Sequence, residues 1–427
     1  MQLPDALRAL RHPNFRTYYT GQAISMIGTW VQSIANTWLA YHLSGSTAIS
    51  GLVGFMGNIP MLFLAPFAGV MGDRFDKRRI LFWVQCLLIV QSVTLAILVG
   101  FHQITVPLLV SLVFMIGLLN AVETPTRQSF FVLLIEDRAD LANAIALNSV
   151  LMNATRLVGP AMGGLLIATT SETVCYIVNA VLTIAVLVSL VKIRFPAPAA
   201  DVAERKPTGF LADLLDGWRY AYSFPVIRAL LVTIGVISFT ISPYVSLMPA
   251  IVVQGFGGGS DLVGYFIGAV GFGAFIGALR LAARKTMVGL AKWIAIAAVV
   301  AGAATIGFSL SRIIWVSMLC MAALGFGFIT AGATINTILQ SIVDDDKRSR
   351  VVSLYTAAFI GSAPLGHLAS GSLAELIGAP HTFLVNGIVC LVAGLIFAWR
   401  LPHFRNALRP IYIERGIIPP PAQDPNQ

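Results

Sequence analysis

Charge is scarce in this sequence. Only 11% of its 427 residues are Asp, Glu, Lys or Arg, against about 25% in a soluble globular domain. Acids are the scarcer sign, 19 against 28 basic residues. With 57% hydrophobic residues and a mean hydropathy of +0.82, the chain lacks the polar surface a soluble protein needs. This excludes a soluble enzyme and implies an integral membrane protein with little soluble mass. Cysteine is also sparse. Cys86, Cys175, Cys320 and Cys390 fall inside apolar runs without metal-ligand spacing, so no metal site is expected. No Gly-Lys-Ser/Thr phosphate loop is present and no soluble stretch could house one, so ATP hydrolysis and a cofactor are not expected. A cleavable signal peptide is not expected either: Met1 to Pro13 is polar and basic, and the first apolar run is too long for an h-region. The net charge of +9 could suggest nucleic acid. The basic residues fall in loops between apolar runs, however, and membrane topology explains them better.

What the sequence has in abundance is long apolar runs. A bilayer span takes about 20 residues. Twelve helices are expected, at roughly Phe15–Leu43, Ile49–Met71, Ile80–Gly100, Val106–Leu134, Leu141–Thr169, Thr173–Val191, Val226–Val253, Leu262–Ala282, Met287–Leu310, Ile313–Ile342, Val351–Ile377 and Phe383–Leu401. They divide into a six-helix half over residues 1–191 and another over 224–401. A linker over 192–223 joins them, with a short amphipathic surface helix at Phe210–Ser223. A Pro-rich, disordered tail follows over 402–427. Loop charge sets orientation. Arg8, Arg74, Lys192, Arg284, Lys347 and Arg400 share one side, whereas the opposite side holds essentially Arg312 alone. Both termini are therefore expected in the cytoplasm.

One hairpin is organised differently from the other loops. Gly69 to Arg79 places six charges within the seven residues from Asp73, including two acids inside a basic run. Basic residues alone would mark topology and nothing more. This stretch resembles the cytoplasmic signature between the second and third helices of the major facilitator superfamily: Gly69, Asp73, Arg74, Lys77 and Arg78 fit, and Asp76 stands where that pattern has Gly. The resemblance implies a latch in which Asp73 meets the start of the eleventh helix near Ser349 and Arg350 when the cytoplasmic side closes. The halves also repeat. Pro13-Asn-Phe-Arg16 matches Pro225-Val-Ile-Arg228, and Gly159-Pro160 matches Ala363-Pro364, with offsets of 204 to 212 residues. The expected fold is therefore all-α, with two parallel-repeat six-helix halves around a central cavity.

Inside a span, a charge is a functional-site hypothesis. Glu123 is the acid that falls clearly within one, and Arg127, four residues on, shares its helix face. Pro125 between them is expected to kink the helix. The pair could be structural. The preferred reading is that Glu123 carries a coupling proton whose affinity changes as Arg127 moves. The fifth helix reads Arg156-Leu-Val-Gly159-Pro160-Ala-Met-Gly163-Gly164. Gly159, Pro160, Gly163 and Gly164 resemble the antiporter signature of the superfamily's exporters and suggest a hinge, with ordinary helix packing as the alternative. Arg156 needs a partner, for which Glu123 is the candidate. The first helix is polar along one face, at Gln22, Ser25, Gln32 and Asn36. Such a face lines a cavity or makes interhelical hydrogen bonds, and the cavity is preferred. Tyr244 and its neighbours on the seventh helix are expected opposite. His367 is a second candidate for protonation.

The run from Asn120 to Phe130, Leu141 to Asn148 and Arg156 to Gly164 is similar to the bacterial superfamily branch that contains the enterobactin exporter and macrolide efflux proteins. That resemblance implies a monomeric inner-membrane exporter of a small, partly apolar molecule, working by alternating access and proton antiport. Endogenous metabolites such as siderophores, or uncoupled facilitation, are alternatives. A membrane sensor is remote, since it should carry a sizeable soluble domain. Protons, the substrate and the bilayer are the expected partners.

Overall fold

The computed structural model describes residues 5–135, 137–193, 224–284 and 286–415. Within these, the side chains of 5, 6, 65–74, 138, 345, 346, 348, 349 and 414 are not described. The fold is all-helical among the described residues. The first six long helices are α1 (Pro13–Ser44), α2 (Thr47–Arg74), α3 (Lys77–Gly100), α4 (Val106–Leu133), α5 (Leu141–Thr169) and α6 (Glu172–Lys192). Then come α7 (Pro225–Ile241), α8 (Tyr244–Ile251) with a π-helical turn at Val252–Phe256, α9 (Ser260–Ala282), α10 (Leu290–Leu310), α11 (Ile314–Ile342), α12 (Asp345–Ile377) and α13 (Ala379–Glu414). Eleven spans among the described residues are long and apolar enough to cross a membrane, α7 to the π turn counting as one. The helix below that threshold is α1. Its 32 residues are long enough, but its polar face lowers its hydropathy.

The local chemistry explains the boundaries. Pro13 opens α1 where no N–H partner is required, and Gly45 closes it at φ 64°, donating its N–H to the Tyr41 carbonyl in a left-handed cap. Asp76 accepts the Arg78 N–H at 2.9 Å and caps α3. The acid that departs from the superfamily pattern thus starts a helix. Arg78 donates from Nε to the Leu190 carbonyl at 2.6 Å and from Nη2 to that of Val191 at 2.9 Å, occupying acceptors that the end of α6 leaves free.

Two expectations are corrected. The seventh span is not one helix, because Ser242-Pro243 divides α7 from α8 by removing a backbone donor. The tail expected from residue 402 is helical to Glu414, despite Pro402 and Pro410. Phe404, Leu408 and Tyr412, spaced one turn apart, are buried against the ends of α7, α10, α11 and α12; that apolar face outweighs the interruptions. The linker helix at 210–223 and residues 416–427 lie outside the described residues.

The helices alternate in direction, so one end of the bundle gathers Asp5, Lys192, Pro225 and Glu414. We call it the terminal end, and the opposite one the distal end. The helices pack as two groups, α1–α6 and α7–α13, joined mainly along α2 with α12 and α5 with α9. At the distal end a single apolar core runs through both groups, from Ile34, Leu39 and Tyr176 to Leu247, Phe266, Phe308 and Phe383. At the terminal end the described buried apolar residues form two cores, one around Phe15, Tyr18 and Phe130, the other around Ile234, Ile338 and Phe404.

Candidate functional site

Between the two groups lies a cavity of about 620 Å³. All six residues expected to line a cavity do so: Gln22, Ser25, Gln32 and Asn36 from α1, Tyr244 from α8 and His367 from α12. Glu123, Arg127 and Arg156 share its wall. A smaller cavity of about 270 Å³ shares Gln22 and Arg127 with it and runs toward the terminal end past Tyr18, Tyr19 and Asn148.

Glu123 and Arg127 pair as their spacing predicts. Arg127 donates from Nε to Glu123 Oε1 at 2.8 Å, and both side chains are largely buried, 11% and 9% exposed. Thr126 donates to the Val122 carbonyl at 2.7 Å, within the stretch of α4 that Pro125 interrupts. Breaking a buried pair by deleting one partner costs about 3–5 kcal/mol, because the other charge stays buried.

Arg156 does not meet Glu123. Its guanidinium lies over the Trp30 ring, 5.9 Å from the centroid, and no ion pair joins it to an acid among the described residues. The reason is how α5 is seated. A Cβ on Gly159 would come within 2.4 Å of Trp30, and one on Gly271 within 2.4 Å of the Arg156 carbonyl. These close approaches fix the rotation of α5, which carries Arg156 over the indole. The small residues of the Gly-Pro segment split between two faces: Gly159 and Gly163 receive α1, and Gly164 receives α9, where its Cβ would lie 2.4 Å from the Ser260 carbonyl.

Gln32 joins a buried network that sequence reading missed. It donates to Gln91 Oε1 at 2.9 Å, and its own Oε1 accepts from Ser92 at 2.9 Å and from Asn179. Ser92 and Asn179 are themselves linked at 3.2 Å. The signal was present as isolated polar residues in the third and sixth apolar runs. Across the cavity, His367 Nδ1 and Ser246 Oγ are hydrogen-bonded at 2.8 Å. Gly54 of α2 lies against this ring, with space for a Cβ only 2.9 Å from it.

Of the hairpin residues, Gly69, Asp73 and Arg74, together with Ser349 opposite, have side chains outside the described set. Lys77 begins α3. Two polar contacts across the groups lie at the distal end. There the Glu375 carboxylate of α12 accepts from the Thr47 and Ala48 N–H groups at 2.9 and 3.2 Å and from the Ser46 and Thr47 hydroxyls at 2.9 and 3.0 Å. An acid from one group thereby caps a helix of the other. Gln254 donates to the Tyr41 hydroxyl at 3.2 Å.

A family model described as "Transmembrane secretion effector" matches residues 5–413. The chain is 24% identical to the staphyloferrin A transporter of Staphylococcus aureus over 388 residues, 89% of this chain and 94% of the relative. It is 24% identical to the multidrug efflux pump Tap of Mycobacterium tuberculosis over 389 residues, 89% and 91% of the two chains. With macrolide efflux protein A of Streptococcus pyogenes it shares 22% over 398 residues, 88% and 94%. Among solved structures, a bacterial homolog of the human lysosomal transporter Spinster, inward-facing and unoccupied, superposes with a TM-score of 0.67 at 13% identity, covering 95% of this chain and 98% of that one. A POT family transporter in complex with 5-aminolevulinic acid gives 0.73 at 11%, covering 92% and 96%.

Proposed function

The chain belongs to the transmembrane secretion effector family, a branch of the major facilitator superfamily of membrane transporters, and from that premise we propose that it is a secondary exporter of a small, partly apolar molecule, working by alternating access with proton antiport. Two six-helix halves rock about the cavity, and both termini face the cytoplasm of a bacterial inner membrane. The distal side is then the outer side, and the apolar core shared by both groups at that side supports an inward-open state. The relatives named as efflux pumps and as a siderophore transporter support export.

The observation that carries the coupling is the buried Glu123–Arg127 pair in the cavity wall. Protonating Glu123 discharges the carboxylate and releases Arg127, so proton binding and the local geometry are linked. Tyr18 and Tyr19 from α1, Arg156 from α5, and Tyr244 and His367 across the cavity are the other described titratable or charged groups facing this region. Coupling requires only that the two states bind the proton with different affinity. In proteoliposomes, an imposed pH gradient should drive substrate flux, and Glu123→Gln should transport without pH dependence. Flux that ignores the gradient in the unaltered protein would point instead to a facilitator.

A further inference from the structure

The charges lining the central cavity do not balance. They are Glu123, Arg127 and Arg156. Glu123 and Arg127 neutralise each other at 2.8 Å. Among the described residues Arg156 is left as a cation without an acid, held over Trp30, and arginine does not deprotonate in proteins. A charge facing a membrane-embedded cavity without a counter-ion is costly, and a ligand can supply what the protein omits. Two further cavity residues are incompletely satisfied. Gln22 and Asn36, 7% and 8% exposed, carry side-chain oxygens with no hydrogen-bond partner.

Resting on the export reading, we propose that the substrate carries a carboxylate or similarly compact anionic group, with Arg156 as its anchor. The guanidinium fork matches a carboxylate in two parallel bonds. Gln22 and Asn36 then accept from hydroxyl or amide donors on the substrate body. The position also suits transport, because Val270 and Ala274 of α9 line the same cavity as Arg156, so a substrate held there faces both helix groups. The same charge balance disfavours a permanent cation in this site. An anion at Arg156 and a proton at Glu123 attract each other, so antiport further requires that the doubly loaded carrier does not reorient.

The test is binding to the purified full-length protein in detergent, which does not depend on export. The probes are benzoate, naphthoate and decanoate, each compared with its primary amide and its trimethylammonium analogue, followed by thermal stabilisation. Carboxylates should stabilise more than their amides, and the cations least. Arg156→Gln should weaken carboxylate binding about 10- to 100-fold and remove the preference. Arg156→Lys should keep the preference with reduced affinity, which separates lost charge from lost folding. Glu123→Gln should retain it. Equal stabilisation by acid and amide, stabilisation by neither, or an unchanged preference in Arg156→Gln overturns the proposal. Loss of directional flux with the preference intact would instead overturn the export reading.

Discussion

The two ends of this bundle are built from the same kinds of residue and packed differently. At the distal end, apolar side chains from both helix groups form one core; at the terminal end those of the described residues form two. The difference lies in what the helices carry where they cross. Distally, Gly51 meets Gly371 and Gly164 meets Gly264, close enough that a Cβ on Gly51 would fall 2.4 Å from the His367 carbonyl. Small residues allow this contact, which van der Waals packing then stabilises in a membrane. Terminally, the described ion pairs include Arg8 with Asp140 at 2.8 Å and Arg415 with Asp344, each within one group. The distal end is joined across the groups by backbone proximity.

The comparison can be broken most severely at the distal crossings. Gly164→Val should force α5 from α9, because the clash is with backbone and cannot relax through a rotamer. We expect transport to be lost and a cysteine placed on the distal side of the cavity to become accessible to a membrane-impermeant thiol reagent. Unchanged accessibility would mean that the crossing does not close that end. A smaller effect is expected from Glu375→Gln, which keeps the side chain's size but removes its charge at the α2 cap. The loss should be about 1 kcal/mol, discounted from a charge-assisted bond because the site is exposed, and would appear as roughly fivefold more distal labelling. The smallest should come from Tyr41→Phe. It deletes one exposed hydrogen bond to Gln254, and labelling should rise by less than threefold, consistent with about 0.5 kcal/mol. If Tyr41→Phe exceeds Glu375→Gln, the polar latch rather than the helix cap holds this end.

Much of the site was legible because α-helical spacing is local. Glu123 and Arg127 are four residues apart, so one helix brings them together whatever surrounds it. The polar face of α1 was legible for the same reason, as Gln22, Ser25, Gln32 and Asn36 all reach the cavity. Arg156 was misjudged because its partner depends on the rotation of α5, which Trp30 of α1 and Ser260 and Gly271 of α9 set. The partners of Gln32 lie some 60 and 147 residues away, a separation no periodicity reports. Glu375 could be placed near a span end but not matched with the α2 cap, since that pairing crosses between the two helix groups.

What the sequence determined by itself is the class of molecule and the inventory of its chemistry. Too little charge and too many apolar runs leave only a membrane bundle, because unpaired backbone in lipid must be satisfied within helices. The few acids and cations inside the spans could be named from their cost alone. The tertiary structure decided which of those charges pair and which described residues line the cavity between the helix groups. Those outcomes depend on close approaches between helices distant in sequence, where a few tenths of an ångström at a glycine set the rotation of a whole span.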